Sequence, residues 1–169
     1  MNNYGNDWIK VNLEELCDDI TVGHVGSMAN EYVDSGIPFL RSLNVKPFRI
    51  IKEDLKYISP EFHEKLKKSS LRSGDIVIVR TGEPGACAII PHDFHNSNCS
   101  DVVILRPKSS VSNRFLVYYI NSITHSHIQS HLVGAVQQHF NVGSARKISI
   151  NLPPLPTQKA IAHILGTLD

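Results

Sequence analysis

Long apolar runs are what this chain of 169 residues most clearly lacks. The longest, Ile76–Val79 and Ala86–Pro91, fall far short of the ~20 residues a bilayer span needs, so no membrane partner is expected. The opening Met1–Trp8 has neither a basic n-region nor an apolar h-region, so no secretory signal is expected. Cysteine is scarce: Cys17, Cys87 and Cys99 are an odd number with no pairing pattern. They are expected to be reduced thiols of a cytoplasmic protein, used as small core residues. The net charge is only +1, which argues against a simple polyanion sponge. No internal repeat or low-complexity tract is present.

Catalytic signatures are also missing. Gly82-Glu83-Pro84-Gly85 is not followed by the Gly-Lys-Ser/Thr of a phosphate-binding loop. No elbow motif surrounds any Ser, Cys or His. Asp18-Asp19 and Glu53-Asp54 are adjacent pairs whose side chains point apart. His92-x-x-His95-x-x-x-Cys99 offers three metal ligands with nothing to complete a tetrahedral set, and reads as surface histidines in a loop. His125, His127 and His131 have no His-Glu-x-x-His frame. Asn151-Leu-Pro-Pro154 resembles the Asn/Asp-Pro-Pro-aromatic signature of amino-methyltransferases only superficially, because Leu152 intervenes and no aromatic follows. The residues point to a non-enzymatic binding domain with no catalytic residue, no cofactor and no metal.

What is present is an ordinary globular composition, 41% hydrophobic and 20% charged, long enough for one domain with its own core. Charge is uneven: residues 1–40 sum to −6, residues 41–80 to +5 and residues 81–169 to +2. A basic middle can place one positive face on the fold, or its charges can solvate scattered surfaces.

Strands are expected at Trp8–Val11, Ile20–Val22, Ile37–Leu40, Phe48–Ile51, Asp101–Leu105 and Ile148–Ile150. A hairpin over residues 75–90 has Ile76–Val79 as its buried arm. Asn12 and Glu15 form a capping box for a short helix to about Asp18. Residues 23–36 read as a long loop. Ser59-Pro60-Glu61 starts a helix to Lys68. Ser112 or Asn113 caps the longest helix, to about Leu132, with Phe115, Leu116, Tyr119, Ile120 and Ile123 on one face. After Pro153-Pro154, Pro156–Leu168 is a helix with an apolar stripe of Ile161, Ile164, Leu165 and Leu168. The stretch Gly134–Asn141, rich in uncharged amides, is the central loop, and Arg80–Gly85 is the second.

Several segments together resemble the target recognition domains of DNA specificity subunits from type I restriction–modification systems. Gly74–Gly82 resembles their glycine–aspartate strand motif, and Leu40-Arg-Ser-Leu-Asn-Val45 their Leu-Arg-x-x-Asn-Val segment. Gly134-x-x-Gln137-x-x-x-Asn141 resembles their Gly-x-x-Gln loop. Leu152-Pro-Pro-Leu-Pro-Thr-Gln158 resembles the Pro-Pro-Leu-x-x-Gln junction before the spacer helix, and Trp8-x-x-x-x-Leu13-x-x-Leu16 also fits. Thr157 stands where the family usually has Glu, and a complete subunit has two such domains where this chain has one.

The resemblance implies a mixed α/β (α+β) recognition-domain fold, a twisted mixed sheet with flanking helices. It places the domain at 1–154 and the start of a long spacer helix at 155–169. It implies sequence-specific binding of one half of a bipartite site on double-stranded DNA. Modification (methyltransferase) subunits and a restriction/translocase subunit would be the partners. A second specificity half, or a homodimer, would meet the C-terminal helix. The chain is then either an excised domain or a half-subunit.

Candidate DNA contacts follow. Gln137 and Gln138 are amides suited to adenine, though Gln137 also suits tying its loop to the backbone. His139 and Ser144 join Gln138 as readers. Arg80, with Thr81, can reach a phosphate or guanine, or pair with Asp75 or Glu83. Arg41 and Asn44 position the DNA backbone or hold a turn. Lys65 and Lys68 contact phosphate or complement a helix C-terminus. A degenerate recognition domain that docks a methyltransferase, and a small hydrolase using Cys99 or a histidine, are the alternatives.

Overall fold

A computed structural model describes residues 8–131 and 140–167, with side chains of 124–131 outside the description. Its centre is a four-stranded antiparallel sheet in the order β2 (Cys17–Val22), β11 (Val102–Pro107), β8 (Ile76–Val79), β9 (Cys87–Ile89). The β-branched runs of β8 and β11 are buried on both faces, as their near-continuous apolar character demands. Ile76, Ile78, Val103 and Leu105 point into one apolar cluster, and Val77, Val79, Val102 and Ile104 into another. The predicted hairpin over residues 75–90 is β8–β9.

The first cluster is closed by α2 (Asn113–His131), through Phe115, Leu116, Val117 and Ile120. α4 (Leu155–Leu165) lies against α2 and buries Ala162 in the same cluster, so its turns share the core of the body. Ile164 remains 60% exposed. The second cluster is covered by the small hairpin β5 (Val45–Lys46) and β6 (Arg49–Ile50) together with Leu40, Leu71 and Phe94.

A second sheet is mixed, in the order β10 (Asn98–Cys99), β4 (Ile37–Leu40), β7 (Lys56–Ile58), β3 (Tyr32–Val33), with only the β10–β4 pair parallel. It carries a small core of Met28, Phe39 and Ile58. β1 (Ile9–Asn12) pairs with β12 (Ser149–Leu152) and so brings the two ends of the body together. The fold is the expected mixed α/β class, but its strands divide among separate sheets, and the parallel pairing is confined to one. β4 is an internal strand. Pro38 is tolerated there because pairing with β10 begins only at Phe39.

Local signals mostly resolve as read, with shorter helices. Asn12 and Glu15 make the capping box, Asn12 N–H donating to Glu15 Oε1 at 2.9 Å, but it opens a single 3-10 turn, Leu13–Leu16. The chain then enters β2 at Cys17, because Cys17 and Ile20 are claimed by the core. Ser59 Oγ caps α1 (Pro60–Lys65) by accepting from Phe62 N–H at 3.1 Å; a 3-10 turn, Lys67–Ser69, follows. The long loop expected over residues 23–36 contains the two-residue β3.

Much of the basic middle is neutralised by ion pairs. Arg41 and Lys56 pair with Asp54, Lys46 with Glu83, Lys52 with Asp93 and Lys67 with Glu64. These close pairs therefore neutralise half of the ten cations of residues 41–80.

β9 is an edge strand beneath α2, where Phe48 N–H donates to Cys87 O at 2.9 Å but the buried Cys87 N–H still needs an acceptor. Asn121 meets this need: its Oδ1 accepts from Cys87 N–H at 3.0 Å and its Nδ2 donates to Cys87 O at 3.0 Å and to Val117 O at 3.0 Å. Replacing Asn121 by Ala leaves a buried strand N–H without its acceptor. The expected loss is about 1–3 kcal/mol of unfolding free energy, read as a lower urea midpoint with an unchanged slope. An unchanged midpoint would contradict this role.

Candidate nucleic-acid interface

Three segments far apart in sequence converge at one end of β8 and β11. The first is the 3-10 turn Ser42–Asn44, the second is the hairpin turn after Val79, and the third is Asp101, which leads into β11. Between them, closed on a further side by Gly26, Met28 and Tyr32, lies an open groove of about 370 Å³. Arg41, Ser42, Leu43, Thr81, Gly82 and Asp101 line it.

Asn44 explains why the first turn is rigid. It is fully buried. Its Oδ1 accepts from Arg41 N–H at 3.1 Å, and its Nδ2 donates to Ile51 O at 3.2 Å and Glu53 O at 3.0 Å. Of the two readings of Asn44, turn hydrogen bonding is the one the geometry supports, because no part of its amide is accessible to a DNA backbone. Arg41 lies at the groove wall, its Nη2 donating to Asp54 O at 2.6 Å and Oδ2 at 2.8 Å. Leu43, between these anchored residues, is 65% exposed.

Asp101 sits in the left-handed backbone region at φ 53°, uncommon outside glycine and tolerated best by Asn and Asp. Its carbonyl accepts from Arg80 N–H at 3.2 Å and Ser42 Oγ at 2.9 Å, and its own N–H donates to His24 O at 3.3 Å. Three segments therefore fix one backbone unit. Its carboxylate stands 3.8 Å from Arg80 Nη1.

Arg80 is paired differently from either sequence expectation. Glu83 is engaged with Lys46 at 2.7 Å, and Asp75 caps its own turn by accepting from Arg72 N–H at 2.9 Å. The Arg80 Nε–H donates to Phe140 O at 3.3 Å, and Phe140 N–H donates back to Arg80 O at 3.2 Å. Phe140 is thus joined to the hairpin at the groove. Thr81 lines the groove directly. Gly82, at φ 92° with open space where a Cβ would stand, serves the turn.

The remaining predicted residues fall elsewhere. Gln137, Gln138 and His139 lie outside the described residues. Ser144 is exposed in α3 (Val142–Arg146); its N–H donates to the capping Asn141 Oδ1 at 2.9 Å. Lys65 and Lys68 are exposed and do not line the groove. Lys68 O accepts from Arg106 Nη2 at 3.3 Å. Arg106 is five residues along β11 from Asp101, about 17 Å at strand spacing. The structure therefore does not bring Lys68 together with Arg41 and Thr81.

A larger hollow of about 970 Å³, lined by Phe48, Arg49, Arg114 and Tyr118 among others, contains none of the predicted residues. Cys99 is buried at 0% exposure, and burial pushes its thiol far above the usual range, which disfavours it as a nucleophile.

Sequence reasoning missed Asp101, Leu43 and Tyr32. Asp101 had one faint signal, an aspartate directly before a buried β-branched run, where a left-handed residue can redirect the chain.

The comparisons with known proteins bear on this geometry directly. Residues 5–169 match the model described as type I restriction modification DNA specificity domain. The chain belongs to that family. One relative is a putative type I restriction enzyme specificity subunit of Haemophilus influenzae, 28% identical over 173 residues, covering 94% of this chain and 42% of that protein. Another is the putative type I restriction enzyme MjaX specificity subunit of Methanocaldococcus jannaschii, 27% identical, covering 96% and 40%.

Among solved structures, a chain from a type I R-M system superposes with a TM-score of 0.75 at 20% identity, covering 99% of this chain and 39% of that one. The HsdS subunit from Thermoanaerobacter tengcongensis gives 0.67 at 20% identity, covering 98% and 38%. The specificity-domain chain thus spans about two fifths of the length of the relatives it matches. Among its described residues, no helix is long and apolar enough to cross a membrane.

Asp54 provides a titration signature of the groove wall. A hydrogen bond from Lys56, then one from Arg41, lowers its carboxyl to about 2 from 3.8. The folded pKa is depressed, so the pairing contributes above pH 3.8 and is lost as pH falls through about 2. Carboxyl-carbon NMR should show a midpoint near 2 that moves toward 3.8 in Arg41→Ala. A midpoint already at the ordinary value in the wild type would contradict the pairing.

Proposed function

We propose that this chain is the target recognition domain of a type I specificity subunit, reading one half of a bipartite site on duplex DNA. The groove and the segment entering Phe140 would make the contacts. The single observation that supports this most is the convergence of Arg41, Thr81 and Asp101 in one groove, with Phe140 joined to its hairpin. The groove presents Ser42, Thr81 and Asp101 beside Arg41, a set of hydrogen-bonding groups that suits recognition.

In this reading Arg41, Arg80 and Thr81 position the duplex. Gln138 and His139 read bases, Gln137 ties its loop, and Ser144 is a reader on α3. Lys65 and Lys68, exposed but away from the groove, supply phosphate contacts where the duplex extends past it. No cofactor or metal is required of this chain. Modification subunits would methylate, and a restriction/translocase subunit would cut. The body is residues 1–154, with 155–169 opening the spacer helix. The exposed Ile164 and Leu165 would meet a second specificity half or a second copy. The compartment is the cytoplasm, where all three buried cysteines stay reduced.

The ion-paired surface makes a prediction about salt. Because half of the cations of residues 41–80 are already closely paired, the affinity–salt slope should be shallow for a DNA-binding protein. Arg80→Ala should lower it by about 1. Gln138→Ala should change base preference at one position, by about 1–3 kcal/mol, in selection from a randomised duplex library. An unchanged slope together with unchanged preference would remove these assignments. Complex formation with a methyltransferase, without salt-dependent DNA binding, would instead select the interaction-module alternative.

A further inference from the structure

A carboxylate on a surface that meets DNA is unfavourable toward phosphate, so its presence there calls for a specific use. Asp101 is 52% exposed at its side chain, lines the groove and is held at φ 53°. Hydrogen bonds from Arg80 and Ser42, and one to His24, fix its backbone. Its separation from Arg80 Nη1, 3.8 Å, is that of a loose ion pair. Among the described residues no hydrogen bond occupies its carboxylate, while its neighbours Ser42 and Thr81 are neutral.

We infer that Asp101 is a specificity-determining residue whose carboxylate accepts a hydrogen bond from the exocyclic amine of a cytosine in the major groove. The inference rests on the recognition reading above. The chemistry narrows the base. A carboxylate only accepts, so it is repelled by guanine O6 and N7 and by thymine O4. Two amines remain. Adenine N6 is flanked by acceptors on both sides, its own N7 and the paired thymine O4. Cytosine N4 has guanine O6 on one side and a C5–H on the other. The second carboxylate oxygen therefore meets an acceptor at adenine whichever way it turns, and can avoid one at cytosine. Arg80, 3.8 Å away, helps to orient the carboxylate without satisfying it.

The test is selection of bound duplexes from a randomised library by this chain in three forms. Asparagine and glycine both accept left-handed backbone, so Asp101→Asn and Asp101→Gly keep the turn, which thermal melting verifies. Wild type should prefer cytosine at one position by about tenfold. Asp101→Asn should move that position to adenine, whose N6 and N7 match an amide. Asp101→Gly should leave all four bases nearly equal there, with other positions unchanged. If wild type and Asp101→Asn select the same base at every position, Asp101 only anchors Arg80 and the inference falls while DNA reading stands. If both variants weaken binding equally on every sequence, the role is structural and the inference likewise falls. If wild type selects no sequence, the recognition reading beneath it falls as well.

Discussion

Everything at the groove depends on β11 being buried on both faces. Val102, Val103, Ile104 and Leu105 are each at 0% exposure, so the strand can neither slip by one residue nor rotate without exposing a core face. The residue before it inherits that rigidity. Asp101 takes a strained left-handed conformation because its backbone is bonded to His24, Ser42 and Arg80 at once. Such conformations persist where the surroundings over-determine them, and they gather at functional sites.

Among the described residues, several that carry the sequence resemblance turn out to be clamps. Asn44 fixes the turn beneath Arg41 and Leu43. Asp75 closes the turn before β8, and burial, its largest influence, raises its carboxyl above the ordinary value. Asn141 caps α3. Gln158, 1% exposed, accepts from Ser112 N–H at 2.9 Å and donates to Pro153 O at 2.8 Å, locking α2, the proline corner and α4 together. The physical division is clear. Buried amides and carboxylates that satisfy backbone groups can be shared by proteins with different targets, since removing one would orphan a buried donor. Residues on the groove surface are free to differ.

What was legible in the sequence follows the same division. Period and turn chemistry found β8, the β8–β9 hairpin, the Ser59 cap and the long α2, because each is fixed by local residues. The 3-10 ending of the Asn12 capping box was not legible, since Cys17 is drawn into β2 by a core assembled from distant segments. The same holds for β10, a two-residue strand that exists through its parallel pairing with β4. At the site, Arg41 and Thr81 were found by their motifs. Lys65 and Lys68 were grouped with them by charge, which carries no information about distance along β11. Asp101 escaped because its meaning lies in a backbone angle and in three long-range bonds, none of which leaves a pattern in nearby residues.

The central claim is that bases are read where the Ser42 turn, the Arg80 hairpin and Asp101 meet. Photo-crosslinking tests it most directly, using a selected target duplex with 5-iodouracil in place of single thymines and mass spectrometry of the attached peptide. The account predicts attachment within residues 26–43, 80–82, 101 or 137–140, with Tyr32 as an aromatic side chain that lines the groove. Attachment confined to Phe48 and Tyr118 in the larger hollow, or to the surface around Lys65 and Lys68, would contradict it.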